Sequence, residues 1–241
     1  MKEAHDNWAH FYDFVYENTF GSFYHELTAE TLIMIQNILP SASIIDFGAG
    51  TGRLSFPLLE KGYSVVAVEK SKAMVDEMKR KNIQFNLNLE IHNSTISDYY
   101  SRKADLALAI FTVLSYSITE EELEANILNI CKHINSNGYF LFDLPSLDLL
   151  TEPRLTNIKS EHFNRIVDLI NVKDSDIFIY KEKCSGLFNN KKFEYYDEFS
   201  IRYWSMDNLD NLLRKNGLYD TQKNFSYLDS TGSTYKLYQK R

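Results

Sequence analysis

Apolar residues recur at Trp8, Phe11, Tyr12, Val15 and Tyr16, the i, i+3, i+4, i+7, i+8 spacing of one helix face. A second helix is expected to begin near Thr28, carry Leu32, Ile33, Ile35 and Ile38, and stop at Pro40. The pattern then changes to short apolar runs at 43–47, 64–69, 89–91, 104–109 and 137–144, each expected to be a strand. Helical stretches separate them: one from Leu54 to Lys61, one opened by Ser71, and one opened by Thr119-Glu120-Glu121-Glu122. The last is a capping box, in which hydroxyl and carboxylate satisfy orphan backbone amides reciprocally. Its helix carries Leu123, Ile127, Ile130, Cys131 and Ile134 on one face. Strands alternating with helices of this length imply parallel pairing with right-handed crossovers.

After Pro153 the period falls to two. Phe193, Tyr195, Phe199, Ile201 and Tyr203 occupy odd positions, and Asn189-Asn190 is a turn signal, so an antiparallel hairpin is expected. Asp197 shares that apolar face, where a carboxylate must be paired, exposed by a bulge or pointed at a cavity; a bulge ranks first. A last helix is capped by Ser205 and closes at Asn216-Gly217. The tail from Tyr219 supplies two more strands, reversing near Asp229-Ser230-Thr231-Gly232. The expectation is one α/β domain with a doubly wound, mostly parallel seven-stranded sheet. It divides into an N-terminal helical cap (1–39), a core (40–150), an antiparallel insertion before the last helix (151–204), and the last helix with two final strands (205–241).

Composition narrows the function classes. The chain has 241 residues, 44% of them hydrophobic, with 16 Tyr and 16 Phe, enough for a substantial core. A net charge of −7 argues against a nucleic-acid partner, because phosphate binding is driven by clustered cations. Lys79-Arg80-Lys81 reads as a solvated helix end. The two cysteines, Cys131 and Cys184, support neither a disulfide framework nor a metal site, and the six histidines show no paired ligand spacing. The N-terminus has no apolar signal region and no run approaches bilayer length, so a cytoplasmic enzyme without a membrane partner is expected.

The chemistry is concentrated in Ile44-Ile45-Asp46-Phe47-Gly48-Ala49-Gly50-Thr51-Gly52-Arg53-Leu54, followed by Ser64-Val65-Val66-Ala67-Val68-Glu69-Lys70. Glycines let the turn tighten and approach a ligand closely. A dinucleotide fingerprint would need a small third residue where Arg53 stands, and Asp46 is a poor neighbour for a diphosphate. The acid suits a ligand carrying an ammonium group and a sulfonium. Glu69 is placed to accept from both hydroxyls of a ribose.

These runs, with 104–109 as a fourth strand, 137–144 as a fifth and Arg202-Tyr203-Trp204-Ser205-Met206 leading into the last helix, resemble the class I S-adenosylmethionine-dependent methyltransferases. The resemblance implies S-adenosyl-L-methionine as cofactor and a cap over it built from the N-terminal helices. It places Asp46, Gly48, Ala49, Gly50, Gly52 and Glu69 against the cofactor, Lys70 and Ser71 bordering the adenine, and Phe111 offering a carbonyl to the methionine part. Where the family has an acid for the adenine amino group, this chain has Asn93, Ser94 and Thr95, whose amide or hydroxyls can accept instead. Tyr12 and Tyr16, one helical turn apart, are expected to line the pocket and face the sulfonium, Tyr12 as a catalytic candidate and Tyr16 as a cofactor contact. Tyr116 is expected to face the substrate, and Asp143 to accept a proton or cap a turn.

The Asn/Asp-Pro-Pro-aromatic motif of amino-methylating DNA enzymes is absent. The layout looks like small-molecule N- and O-methyltransferases, in which extra strands shape the substrate site or pair subunits, so a homodimer through the insertion is one expectation. Two other readings stand beside it: a non-catalytic protein that binds S-adenosylmethionine or S-adenosylhomocysteine, and a NAD-dependent oxidoreductase, disfavoured by Asp46 and Arg53.

Overall fold

The computed structural model describes residues 3–151, 157–225, 228 and 231–241. Its main sheet has strands β1 (Ser43–Phe47), β2 (Ser64–Glu69), β3 (Glu90–Asn93), β4 (Ala104–Ala109), β5 (Ile134–Pro145), β10 (Leu218–Asp220) and β11 (Ser233–Lys240). They lie in the order β10-β11-β5-β4-β1-β2-β3. Strands β1 to β5 pair in parallel, and β11 and β10 close the edge antiparallel. The strand order reverses between β1 and β4, where open α/β sheets bind ligands beyond their strand ends.

Helices α3 (Ser55–Glu60), α4 (Lys72–Gln84), α5 (Glu120–His133) and α7 (Met206–Lys215) cover the sheet. Ser71 caps α4 by accepting from the Met74 amide, Ser205 caps α7, and both halves of the Thr119–Glu122 capping box are formed. β1 buries Ile44 on one side of the sheet and Ile45 and Phe47 on the other, so it has no solvent face, as a central parallel strand requires.

Several boundaries differ from the sequence expectation. Trp8 precedes a 3-10 turn (Ala9–Phe11), and α1 spans Tyr12–Phe20. Gly21, at φ +55°, breaks the chain there, and α2 (Ser22–Ile38) starts six residues before Thr28. Strand β5 begins at Ile134, directly after α5, with a register shift opposite Ala104 and Leu106. A short helix α6 (Leu147–Thr151) follows β5. Lys81 is not part of a solvated helix end: its ammonium meets the Thr51 carbonyl at 3.1 Å and pairs with Asp13.

The insertion is a separate antiparallel sheet of four strands, β6 (Ile158–Lys159), β7 (Phe163–Asn171), β8 (Ile177–Phe188) and β9 (Lys191–Arg202). Asn189 and Asn190, both at positive φ, form the expected two-residue turn between β8 and β9. Strand β7 was not anticipated because Arg165 sits at a buried position between Phe163 and Val167, interrupting the apolar alternation. Asp197 is not on a bulge: it lies in regular register opposite Glu182, and its carboxylate is paired. The proposed boundary at Pro153 and the turn residues Asp229 and Ser230 lie outside the described residues. The inner face of the insertion packs on α1 and α2 through Trp8, Tyr16, Tyr24, Phe163, Phe193 and Tyr195.

Candidate active site

A cavity of about 670 Å³ lies between the carboxyl ends of the parallel strands and the roof formed by α1, α2 and the insertion sheet. Its floor is the glycine turn after β1. The Gly48 and Ala49 amides both donate to the Val68 carbonyl, which ties the turn to β2. Gly48 is held at φ +67°, and a Cβ there would come within 2.6 Å of Val113. Gly50, at φ +57°, has nothing within 4 Å of a would-be Cβ, so the turn presents bare backbone to the cavity.

Glu69 ends β2 buried, accepting from the Gly50 amide at 3.0 Å and the Ser71 amide at 2.8 Å. Burial raises its carboxyl above the ordinary value, against those two bonds. Each carboxylate oxygen retains a lone pair for a further donor, so the group fits a vicinal diol such as a ribose. Asp46 is 3% exposed, accepts from the Ser55 hydroxyl at 2.6 Å, and is pushed up to about 6 by burial. A cationic ligand is the natural complement of two buried carboxyls beside an open glycine turn.

Asp143, at the tip of β5, is committed to backbone. Its carboxylate accepts from the Phe111 amide at 2.5 Å and the Thr112 amide at 3.0 Å, and burial raises its carboxyl. Those two residues stand at φ +78° and +60°, so the acid holds a strained turn after β4 in place.

A strap formed by residues 3–8 crosses the mouth. Glu3 pairs with Lys70 at 2.8 Å, Asp6 accepts from the Ser71 hydroxyl at 2.6 Å, and His5 Nε2 meets the Tyr116 hydroxyl at 2.8 Å. On the insertion side Asp197 accepts from the His5 amide at 2.8 Å and Trp8 Nε1 at 3.0 Å. Farther along, Asp13 of α1 accepts from the Thr51 hydroxyl at 2.7 Å. His5 Nδ1 is 3.7 Å from Asp197, yet burial outweighs that attraction and lowers the imidazole to about 4. Burial also raises the Tyr116 hydroxyl well above its usual value.

Of the residues expected at the site, Asp46, Gly48, Ala49, Gly50, Glu69, Lys70, Ser94, Thr95, Phe111, Tyr12, Tyr16, Tyr116 and Asp143 line this cavity. Gly52, Ser71 and Asn93 stand just behind the lining. Gly52 packs against Phe56, Ser71 caps α4, and the Asn93 amide donates to the Glu69 and Lys70 carbonyls.

Sequence reading missed His5, Arg53, Arg165, Tyr180 and Glu182. Arg53 donates to the Thr28 hydroxyl and lies over the Phe111 ring at 5.1 Å and the Tyr24 ring at 5.5 Å. Strand parity gives a clue to three of them: Arg165 shares the inward face with Phe163 and Val167, and Tyr180 and Glu182 share theirs with Phe178 and Cys184. Among the described residues no cluster of His, Cys, Asp and Glu could hold a metal ion, and no helix is long and apolar enough to cross a membrane.

The chain is similar to known proteins in sequence and in fold. Residues 44–138 match a family model described as a methyltransferase domain. A ribosomal protein L11 methyltransferase from Caldanaerobacter subterraneus is 27% identical over 167 residues, 68% of this chain and 51% of that protein. A ubiquinone biosynthesis O-methyltransferase from Rickettsia conorii is 25% identical over 128 residues, 53% of this chain and 43% of the relative. The chain thus spans about half the length of the curated relatives it matches. Among solved structures, an S-adenosylmethionine-dependent methyltransferase from Clostridium acetobutylicum superposes with a TM-score of 0.74 at 17% identity, covering 96% of both chains. An amino pentose methyltransferase from Micromonospora echinaspora, solved with S-adenosylmethionine bound, gives 0.72 at 15% identity, over 95% of this chain and 96% of the other. At these identities the likeness establishes the fold, insertion sheet included.

Proposed function

We propose that this chain is a class I S-adenosylmethionine-dependent methyltransferase and methylates a nitrogen or oxygen of a small molecule held under the insertion sheet. The observation that carries this reading is one cavity joining the glycine turn and Glu69 to an aromatic chamber lined by Tyr12, Tyr116, Tyr180 and Phe199. The first end suits the adenosyl and methionine parts of the cofactor. The second has room for an acceptor and is closed by the strap and the insertion.

When bound, S-adenosylmethionine supplies an activated methyl group. The chain's own work is to align the acceptor, exclude water and take up a proton if the acceptor carries one. Glu69 would hold the ribose hydroxyls and Asp46 the cationic end, with Ser94 and Thr95 beside the adenine. Tyr12 and Tyr16 stack on each other with centroids 4.5 Å apart and wall off solvent. The Tyr116 hydroxyl, held by His5 Nε2, is the polar group we assign to orienting the acceptor atom. His5 Nε2 accepts from that hydroxyl and fixes its orientation, staying neutral because burial lowers the imidazole to about 4. Asp143 is assigned a positioning role, since its oxygens already serve the Phe111 and Thr112 amides.

The buried chamber favours a small molecule over a nucleic acid, in keeping with the net charge of −7. Pairing of two copies through the insertion sheet remains part of the proposal, and sedimentation would measure it. The central test is calorimetric titration with S-adenosylmethionine, S-adenosylhomocysteine and NAD, on wild type and on Glu69→Ala. Micromolar binding of the two sulfur nucleosides, absent for NAD and weakened by about tenfold or more in the variant, supports the reading. No binding of either nucleoside by folded protein refutes it. Binding without methyl transfer to any amine, hydroxyl or thiol would favour a non-catalytic binding protein.

A further inference from the structure

Arg165 is 2% exposed and lies on the cavity wall, yet only two of its three guanidinium nitrogens are used. Nε donates to Glu182 at 2.9 Å, and Nη2 donates to Glu182 at 3.0 Å and to the Tyr180 hydroxyl at 2.8 Å. Nη1 is buried and has no hydrogen-bond partner among the described residues. A buried donor left unmade carries a desolvation cost that natural proteins ordinarily avoid, so such a group on a cavity wall indicates a ligand acceptor. The fork cannot swing away to find water. Glu182 grips it bidentately, the Tyr180 and Tyr195 hydroxyls brace Glu182 at 2.9 and 2.6 Å, and the Tyr16 and Phe20 rings flank the guanidinium at 5.7 and 5.9 Å.

We infer that Arg165 Nη1 is a substrate-anchoring donor, and that it recognises a neutral oxygen acceptor, a carbonyl oxygen, on a flat aromatic body. This deepens, and rests on, the methyl-transfer reading. The charge balance selects a neutral partner. Glu182 already cancels the Arg165 charge through a bidentate ion pair, so Nη1 offers a donor without net charge, and an anion buried against it would not recover its desolvation cost. The walls favour an aromatic one: Tyr180, Phe199 and Tyr116 stack in a row, with centroids 4.7 Å apart at 14° and 5.6 Å apart at 28°, and all three line the cavity, an aromatic surface against which a substrate ring packs. In this role Arg165 sets which molecules are held.

The experiment titrates matched aromatic pairs by ligand-observed NMR: 4-hydroxyacetophenone against 4-ethylphenol, 3-acetylindole against 3-ethylindole, with 4-hydroxybenzoate as the anionic control. Each is titrated with and without S-adenosylhomocysteine, on wild type, R165K and R165M/E182M. R165K keeps a cation for Glu182 but loses the fork, and the double variant removes both charges together, so a folded protein is available even if one variant fails. Thermal melting checks each. The expected result is that in wild type at least one ketone binds about tenfold more tightly than its ethyl counterpart, and that both variants abolish the difference. No ketone preference in any pair, a preference that survives in the folded variants, or tightest binding by the benzoate overturns the inference. S-Adenosylhomocysteine binding is read in the same titrations. Its absence defeats the methyl-transfer reading, while the ketone comparison still decides the anchor.

Discussion

The Nε2 atom of His5 and the hydroxyl of Tyr116 lie 2.8 Å apart across 111 residues of sequence, joining the N-terminal strap to the turn after β4. Burial is the main reason the imidazole is lowered from 6.5 to about 4. A depressed histidine contributes stability that is complete above the unfolded value of about 6.5 and is lost as pH falls through about 4. The shift corresponds to about 3 kcal/mol. We therefore expect His5→Gln to flatten the loss of stability between pH 6.5 and 4 relative to wild type, measured by urea unfolding. Parallel curves for the two proteins would show that His5 is not buried in this way.

Asp46 works in the opposite sense. Its folded value of about 6 exceeds the ordinary 3.8, so its contribution to the ligand-free protein is complete below about pH 4 and lost as pH rises through 6. Asp46→Asn keeps an acceptor for the Ser55 hydroxyl without the charge. The variant is expected to be more stable than wild type at pH 7.5, by up to about 3 kcal/mol, and to lose that advantage near pH 4. It should also bind S-adenosylhomocysteine more weakly at pH 7.5. Equal stability at both pH values would contradict the assignment.

The glycines of the turn separate folding from binding. A methyl group at Gly50 meets no protein atom, whereas one at Gly52 meets Phe56 at 2.5 Å, with φ at +91°. Gly50→Ala is expected to cost about 1–2 kcal/mol of left-handed strain and to weaken S-adenosylhomocysteine binding strongly. Gly52→Ala adds overpacking and is expected to cost about 2–4 kcal/mol, with a smaller effect on affinity in the folded fraction. Melting curves and calorimetry on both variants give the ranking, and a reversed order would place the ligand elsewhere.

Asp197 binds the strap to the insertion. Asp197→Ala leaves the Trp8 indole and the His5 amide without their acceptor in a buried setting, at a cost of about 1–3 kcal/mol for each donor. The expected signature is early proteolytic cleavage within the first eleven residues, with Asp197→Asn milder because one acceptor oxygen remains. Wild-type resistance to the protease in the alanine variant would mean that the strap is held by other contacts.

The order of elements, the parallel core and the cofactor end of the site follow from local signals. Glycines 48, 50 and 52 and the acids Asp46 and Glu69 lie within 24 residues, and the central strands β1, β2 and β4 are largely apolar runs, so short-range spacing carries the information. The Asn189-Asn190 turn and the caps at Ser71, Thr119 and Ser205 are legible for the same reason: their hydrogen bonds close within a few residues. The substrate end is different. Arg165, Glu182 and Tyr180 are polar residues whose shared inward face forms only when β7 and β8 pair, and His5 gains meaning only when it meets Tyr116 and Asp197. Buried charge is costly unless partners converge on it, and here the partners come from segments up to 192 residues apart. Sequence determined the glycine turn and its two acids, whose spacing is local; the folded arrangement of the strap and the insertion decided which side chains share the cavity with them.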